Sequence, residues 1–135
     1  MGTWDLVTLR AEWPDGNVSE PWGAHPFGRL VYDAEGRITA VLMHQDRNEA
    51  SGRPSSPDLH AQMASYYGTY EVDAARTVVI HRVAASFRTN ESGALERRYT
   101  FDDGRLVLAA PGVQAGVPVT YLLVWRRAPA VPPQP

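Results

Sequence analysis

Turn signals recur along the chain and divide it into short segments. Most combine Gly with Asp, Asn or Glu, and they lie at 14–17, 34–37, 73–76, 91–93 and 102–105. Gly adopts positive φ at little cost, and Asp and Asn tolerate it, so these segments favour tight turns. The chain between them is rich in β-branched, aromatic and aliphatic residues, which is typical of strands. The spacing predicts an all-β protein built mostly from hairpins.

Eight strands are predicted, at 3–13, 26–33, 37–46, 68–73, 76–86, 94–101, 105–110 and 117–127. Eight antiparallel strands joined in chain order close into an up-and-down barrel, which leaves no sheet edge exposed. A barrel of this size either is filled by side chains or holds one small ligand. We expect residues 1–127 to form this barrel and the Pro-rich residues 128–135 to form a flexible tail.

One segment departs from the strand pattern and predicts a short helix at about 57–66. Ser56 suits an N-cap, and Pro57 and Asp58 suit the first helical turn. Leu59 and Met63 are followed at helical spacing by Tyr66 or Tyr67. This stripe either packs on the barrel or forms a lid over one mouth.

Composition excludes several classes of protein. Of the 135 residues, 44% are hydrophobic and 21% charged, with a net charge of -2, which argues against a disordered acidic tail or a basic nucleic-acid binder. The chain has no Cys and no Lys, so it has no disulfide, thiol nucleophile or Schiff-base lysine. It shows neither a secretory signal nor an apolar run of membrane-helix length, and we expect a cytoplasmic protein that binds no membrane.

Alternation along the strands places single polar side chains on mostly apolar faces. His81 lies between Val79 and Val83, and Arg97 shares a face with Tyr99 and Phe101. Burying a polar group costs a few kcal/mol unless it is paired, so each must meet a polar partner or lie near a mouth. Apolar walls with a few convergent polar groups are typical of a small-molecule site.

Three of these residues are candidate catalytic groups. His81 is a candidate general acid or base, or alternatively a hydrogen-bonded structural histidine. Arg97 is suited to hold a carboxylate or enolate oxygen, and Tyr99 to donate to a developing oxyanion. Because Arg98 follows Arg97, one of the two faces outward, and the pattern does not decide which. The candidate ligand-contacting residues, which also suit a core, are Tyr32, His44, Tyr70, Tyr121 and Trp125.

Metal and cofactor motifs are absent from the sequence. The four His residues are scattered, with no His-x-His pair and no His-Glu-x-x-His. The nucleophile motif Gly-x-Ser-x-Gly is also absent. We therefore predict no metal and no cofactor.

A set of short motifs resembles the bacterial and fungal lipocalin-like domain family over residues 2–127. In chain order they are Gly2-Thr3-Trp4, the 26–36 hairpin, 67–73, His81, 97–101, 106–108 and Trp125-Arg126-Arg127. The resemblance implies a small β-barrel with a central cavity. It also implies that Trp4 meets an arginine of the last strand, Arg127, at the closed end, where cation–π stacking is favourable.

The function expected first is binding of a small, largely apolar molecule in the barrel. The alternative is a cofactor-free cyclase or isomerase of natural-product biosynthesis, acting on a polyketide, polyene or terpenoid-like intermediate that the cavity orients. A third interpretation is an interaction module whose barrel is filled by its own side chains. The expected partner is a small hydrophobic or amphipathic molecule, with no nucleic acid, and the oligomeric state stays open.

Overall fold

The computed structural model describes residues 1–48, 62–88 and 92–133. Nearly all regular structure in these residues is strand, with one 3-10 helix at Gln45–Asn48. The strands are β1 (Gly2–Glu12), β2 (Val18–Ser19), β3 (Phe27–Tyr32), β4 (Arg37–Met43), β5 (Met63–Asp73), β6 (Val78–Ser86), β7 (Gly93–Asp102), β8 (Arg105–Gln114) and β9 (Val117–Arg127).

The eight long strands form one closed antiparallel barrel. From β3 to β9 each strand pairs with the next in the chain, and β1 pairs with both β3 and β9. The ladder that closes the barrel runs from Trp4 opposite Arg127 to Glu12 opposite Thr120. The two-residue β2 adds only to the end of β1. The predicted all-β, eight-stranded up-and-down barrel is confirmed.

The predicted helix at 57–66 is wrong where it is described. Residues 57–61 lie outside the described residues, whereas residues 63–66 begin β5 and pair with residues 40–43 of β4. Ala64 and Tyr66 are buried in the core on this strand. The ladder to β4 and the burial of alternate side chains outweigh the helical spacing of Met63 and Tyr66.

The two ends of the barrel differ in their connections. At one end, the hairpin end, short turns join β3 to β4, β5 to β6 and β7 to β8, and the start of β1 meets the end of β9. There the Arg127 guanidinium lies 4.5 Å from the Trp4 ring centroid, and its Nη1 donates to the Met1 carbonyl oxygen at 3.1 Å. The predicted Trp4–Arg127 pair is confirmed, and it lies at the hairpin end of the barrel.

The opposite end, the loop end, carries the longer connections, including those between β1 and β3 and between β4 and β5. Trp22, from the segment before β3, packs partly buried against the core there. Its carbonyl oxygen accepts a hydrogen bond from the Gln45 backbone N–H at 3.1 Å. The 3-10 helix after β4 therefore holds the Trp22 segment in place.

The hydrophobic core fills much of the barrel interior. Leu30, Ile38 and Trp125 are each about 1% exposed, and they belong to a cluster drawn from seven of the eight barrel strands. Among the described residues there is no helix whose length and apolar character suit it to cross a membrane.

Candidate functional site

A chain of three side chains crosses the barrel interior and centres on His81. His81 is 1% exposed and is the buried polar side chain of the described core. The Tyr32 hydroxyl lies 2.6 Å from its Nε2, and the Tyr66 hydroxyl lies 2.5 Å from its Nδ1. We call Tyr32, His81 and Tyr66 the Tyr–His–Tyr cluster.

The cluster exists because three strands direct these residues inward. Tyr66 lies on β5, His81 on the adjacent β6, and Tyr32 on β3, so the hydrogen bonds span the barrel. Tyr70, also on β5, packs edge-on against the Tyr32 ring at 4.7 Å, and its hydroxyl donates to the Asp33 carbonyl oxygen at 2.8 Å. Tyr70 therefore fixes the position of Tyr32 from the hairpin end.

The cluster is electrically neutral at neutral pH. Burial, and then the nearby positive charge of Arg97, lower the pKa of His81 to about 3. Burial, with the neighbouring Tyr66 phenol, raises the pKa of Tyr32 well above its usual value. A neutral imidazole has one N–H and one acceptor nitrogen, so one phenol donates to His81 and the other accepts from it. Both ring nitrogens are thus occupied by the protein itself.

The structure decides which of the adjacent arginines faces inward. Arg98 is exposed, as are Glu96 and Thr100, whereas Arg97 is half-buried. Leu95 and Tyr99 flank Arg97 on the same alternation and pack against the core. Arg97 therefore faces the interior, and its charge acts on both His81 and Tyr32.

The three predicted catalytic residues share the interior face but do not form one hydrogen-bonded group. The ring nitrogens of His81 contact Tyr32 and Tyr66. Tyr99 is half-buried, and its ring packs edge-on against Phe101 at 6.1 Å between centroids.

The five predicted ligand-contacting residues lie in different surroundings. Tyr32 belongs to the cluster, Tyr70 borders it, and Trp125 is in the core. The Tyr121 hydroxyl accepts from Gln114 Nε2 at 2.6 Å and donates to the Val113 carbonyl oxygen at 3.3 Å, near the turn between β8 and β9. His44, just after β4, accepts at its Nδ1 from the Asp46 backbone N–H at 3.1 Å.

The sequence did not identify Tyr66, which is one of the two hydrogen-bond partners of His81. The helical pattern places either Tyr66 or Tyr67 in the stripe of the predicted helix. Ala64, Tyr66, Gly68 and Tyr70 also alternate at period two, and this was the signal for a strand face.

An apolar wall leads from the loop end to the Tyr–His–Tyr cluster. Val83, Leu95 and Leu123 face inward and pack against the core, yet each is only half-buried. Leu95 is paired directly with His81, and Val83 is paired with Gly93 at the start of β7. We call Trp22, Val83 and Leu95 the loop-end wall; Leu123 lies farther toward the hairpin end, where its ladder partners are Leu9 and Leu108. Solvent therefore reaches inward-facing apolar side chains close to the buried histidine.

Two buried indole groups add unused donors to the interior. Within the described part of the chain, Nε1 of Trp4 and Nε1 of Trp125 have no hydrogen-bond partner. A buried donor without an acceptor costs about 1–3 kcal/mol. The interior therefore contains two buried N–H donors that have no acceptor in the described part of the chain.

A concave surface lies on the outside of the barrel. This outer-wall cleft has a volume of about 630 Å³. Its lining includes Val7, Phe27, Val41 and Met43, and the Asp5–Arg29 ion pair at 2.8 Å. His25 borders it as well. It opens on the outer face, whereas the sequence predicts a ligand in the interior.

Residues 1–48, 62–88 and 92–133 contain no candidate metal site. No three His, Asp or Glu side chains in these ranges come together as a group able to hold an ion.

The sequence model of a lipocalin-like domain matches residues 1–128. The chain belongs to the lipocalin-like domain family. No curated protein matches its sequence. Membership in the lipocalin-like family explains the barrel, but the fold does not specify a ligand. The ligand depends on the side chains inside this lipocalin-like barrel.

Proposed function

We propose that this lipocalin-like protein binds one small, largely apolar molecule inside its barrel. The observation that carries the proposal is the half-buried loop-end wall, which runs to a fully buried polar cluster. Leu95, on that wall, is the ladder partner of His81. A ligand that enters at the loop end covers the apolar wall and brings its polar group toward the cluster.

The energetics of the wall support binding. Covering apolar surface contributes about 25 cal/mol per Å², so the exposed parts of Trp22, Val83 and Leu95 gain from contact with an apolar body. Sites of this kind combine apolar walls with a few fixed polar groups that orient the ligand. The hydrogen bonds of His81 hold Tyr32 and Tyr66 in fixed orientations.

The same cluster favours binding over the alternative, a cofactor-free cyclase or isomerase. An effective general base has a pKa near the working pH. Burial lowers the pKa of His81 to about 3, and both of its nitrogens contact phenols. This histidine is therefore better suited to orient its two tyrosines than to exchange protons with a substrate.

The proposal is tested with N-phenyl-1-naphthylamine, a neutral apolar fluorophore. The wild-type protein is expected to bind it with enhanced emission. Leu95→Trp fills the space at the wall and is expected to weaken binding by about tenfold or more, corresponding to at least about 1.4 kcal/mol.

The matched control is Ala94→Trp, on the neighbouring exposed position of the same strand. It is expected to leave binding unchanged, and thermal unfolding of both variants verifies that each is folded. Equal binding by the wild type and a folded Leu95→Trp variant would place the fluorophore elsewhere and overturn the proposal.

A further inference from the structure

The charge balance of the barrel differs between its two faces. On the outer face, Arg29 pairs with Asp5 at 2.8 Å, and Arg76 pairs with Glu96 at 3.2 Å. Arg82 pairs with Glu71 in the same way. Glu96 is the sequence neighbour of Arg97, but it faces outward and Arg76 uses its carboxylate.

Arg97 has no such partner among the described residues. No carboxylate in this part of the chain lies within ion-pair distance of its guanidinium. Its Nη1 donates one long hydrogen bond, to the Glu96 carbonyl oxygen at 3.3 Å. A guanidinium carries five N–H donors, so one backbone acceptor leaves most of this capacity open. The positive charge of Arg97 acts on both Tyr32 and His81, and these two side chains are neutral.

An inward-facing cation among neutral groups favours an anion. Charges removed from water are stabilised by an opposite charge with hydrogen bonds of good geometry. A guanidinium fits a carboxylate especially well, because its fork of N–H groups matches the two oxygens. Arg97 is half-buried, so it combines access for a ligand with reduced screening by solvent.

We infer that the ligand is a small carboxylic acid with an apolar body, whose carboxylate pairs with Arg97 while the body covers the loop-end wall. This inference rests on the proposed binding function and adds the chemical class of the ligand. Leu95 of that wall and Arg97 are two positions apart on the inward face of β7, so one small ligand is able to contact both.

The experiment measures displacement of N-phenyl-1-naphthylamine by decanoic acid and by methyl decanoate, at a pH where the acid is ionised. The two competitors share an apolar chain and differ in charge. The wild-type protein is expected to prefer decanoate by about tenfold to hundredfold, the range of a charge-assisted hydrogen-bonded contact. Arg97→Gln is expected to lose this preference while retaining the fluorophore.

Arg98→Gln is the matched control, since Arg98 is adjacent and exposed. It is expected to keep the preference for decanoate. Equal displacement by acid and ester in the wild type, or a preference that survives Arg97→Gln, overturns the carboxylate inference and leaves the binding function standing. Failure of the wild type to bind the fluorophore overturns the binding function itself, and with it this inference.

Discussion

At the scale of single residues, His81 couples the interior to pH. A histidine whose folded pKa is about 3 and whose unfolded pKa is about 6.5 is neutral in the native state across this whole interval. Between pH 6.5 and 3 the unfolded state binds a proton at this residue and the native state does not. The free energy of unfolding therefore decreases as pH falls from 6.5 toward 3. Above pH 6.5 both states are neutral at this residue, and the native state suffers no penalty from it.

The first prediction concerns this pH dependence. Urea unfolding at pH 7, 6, 5 and 4 is expected to show that His81 removes about 1.4 kcal/mol of stability per pH unit once pH is well below 6.5. His81→Gln keeps a donor and an acceptor at the site but does not titrate, so its stability is expected to fall less steeply. Parallel pH profiles for the two proteins would show that His81 is not held neutral.

The sequence identified His81 and Arg97 but not their arrangement. Alternation placed each on a mostly apolar face, as the structure has them. Both faces of residues 97–100 carry an arginine, so only burial in the folded barrel, where Arg97 is half-buried and Arg98 exposed, shows which one points inward. The contact of Tyr32 with His81 joins residues 49 positions apart, and no local pattern contains it.

At the scale of strands, β5 shows how the barrel bends around the site. The β5–β6 register shifts between Tyr67 and Gly68, and a side chain at Gly68 would collide with the Arg82 carbonyl oxygen of β6. Only a residue without Cβ permits this close approach of two backbones. The irregularity lies between Tyr66 and Tyr70 on β5, the strand that supplies Tyr66 to the cluster.

The close approach of β5 and β6 at Gly68 leads to a prediction for glycine replacements. Gly68→Ala is expected to cost about 2–4 kcal/mol of unfolding free energy, because strand backbone must move to accept the methyl group. Gly112→Ala is the comparison, since its methyl would meet the Tyr121 ring, a half-buried side chain that is able to rotate away. Denaturant unfolding compares the two, and a Gly68→Ala cost no greater than that of Gly112→Ala would contradict this account of the irregularity.

Strand positions were predicted more accurately than strand lengths. Turn signals with Gly and Asp located the hairpins at 34–37 and 102–105, because local backbone requirements determine them. The first half of β5 was missed because Met63 and Tyr66 suit helical spacing as well as a strand. There the long-range ladder to β4 decides, and a single sequence does not display it.

At the scale of the whole molecule, different residues occupy the two ends of the barrel. Arg127 stacks on Trp4 at the hairpin end, and the loop-end wall is half-buried at the other. Inside lie the neutral Tyr–His–Tyr cluster and Arg97, which has no carboxylate partner among the described residues. The ion pairs of Arg29, Arg76 and Arg82 lie outside. This asymmetry is the basis for placing the ligand inside the barrel.

The outer-wall cleft is the competing location, and the histidines distinguish the two places. His25 borders the cleft, whereas His81 is buried in the barrel. The most direct measurement is a nitrogen-15 NMR spectrum of the histidine rings during titration with N-phenyl-1-naphthylamine. Binding inside the barrel predicts that the His81 ring signals shift with saturation and those of His25 do not. A titration that shifts His25 and leaves His81 unchanged would place the ligand on the outer wall and overturn binding inside the barrel.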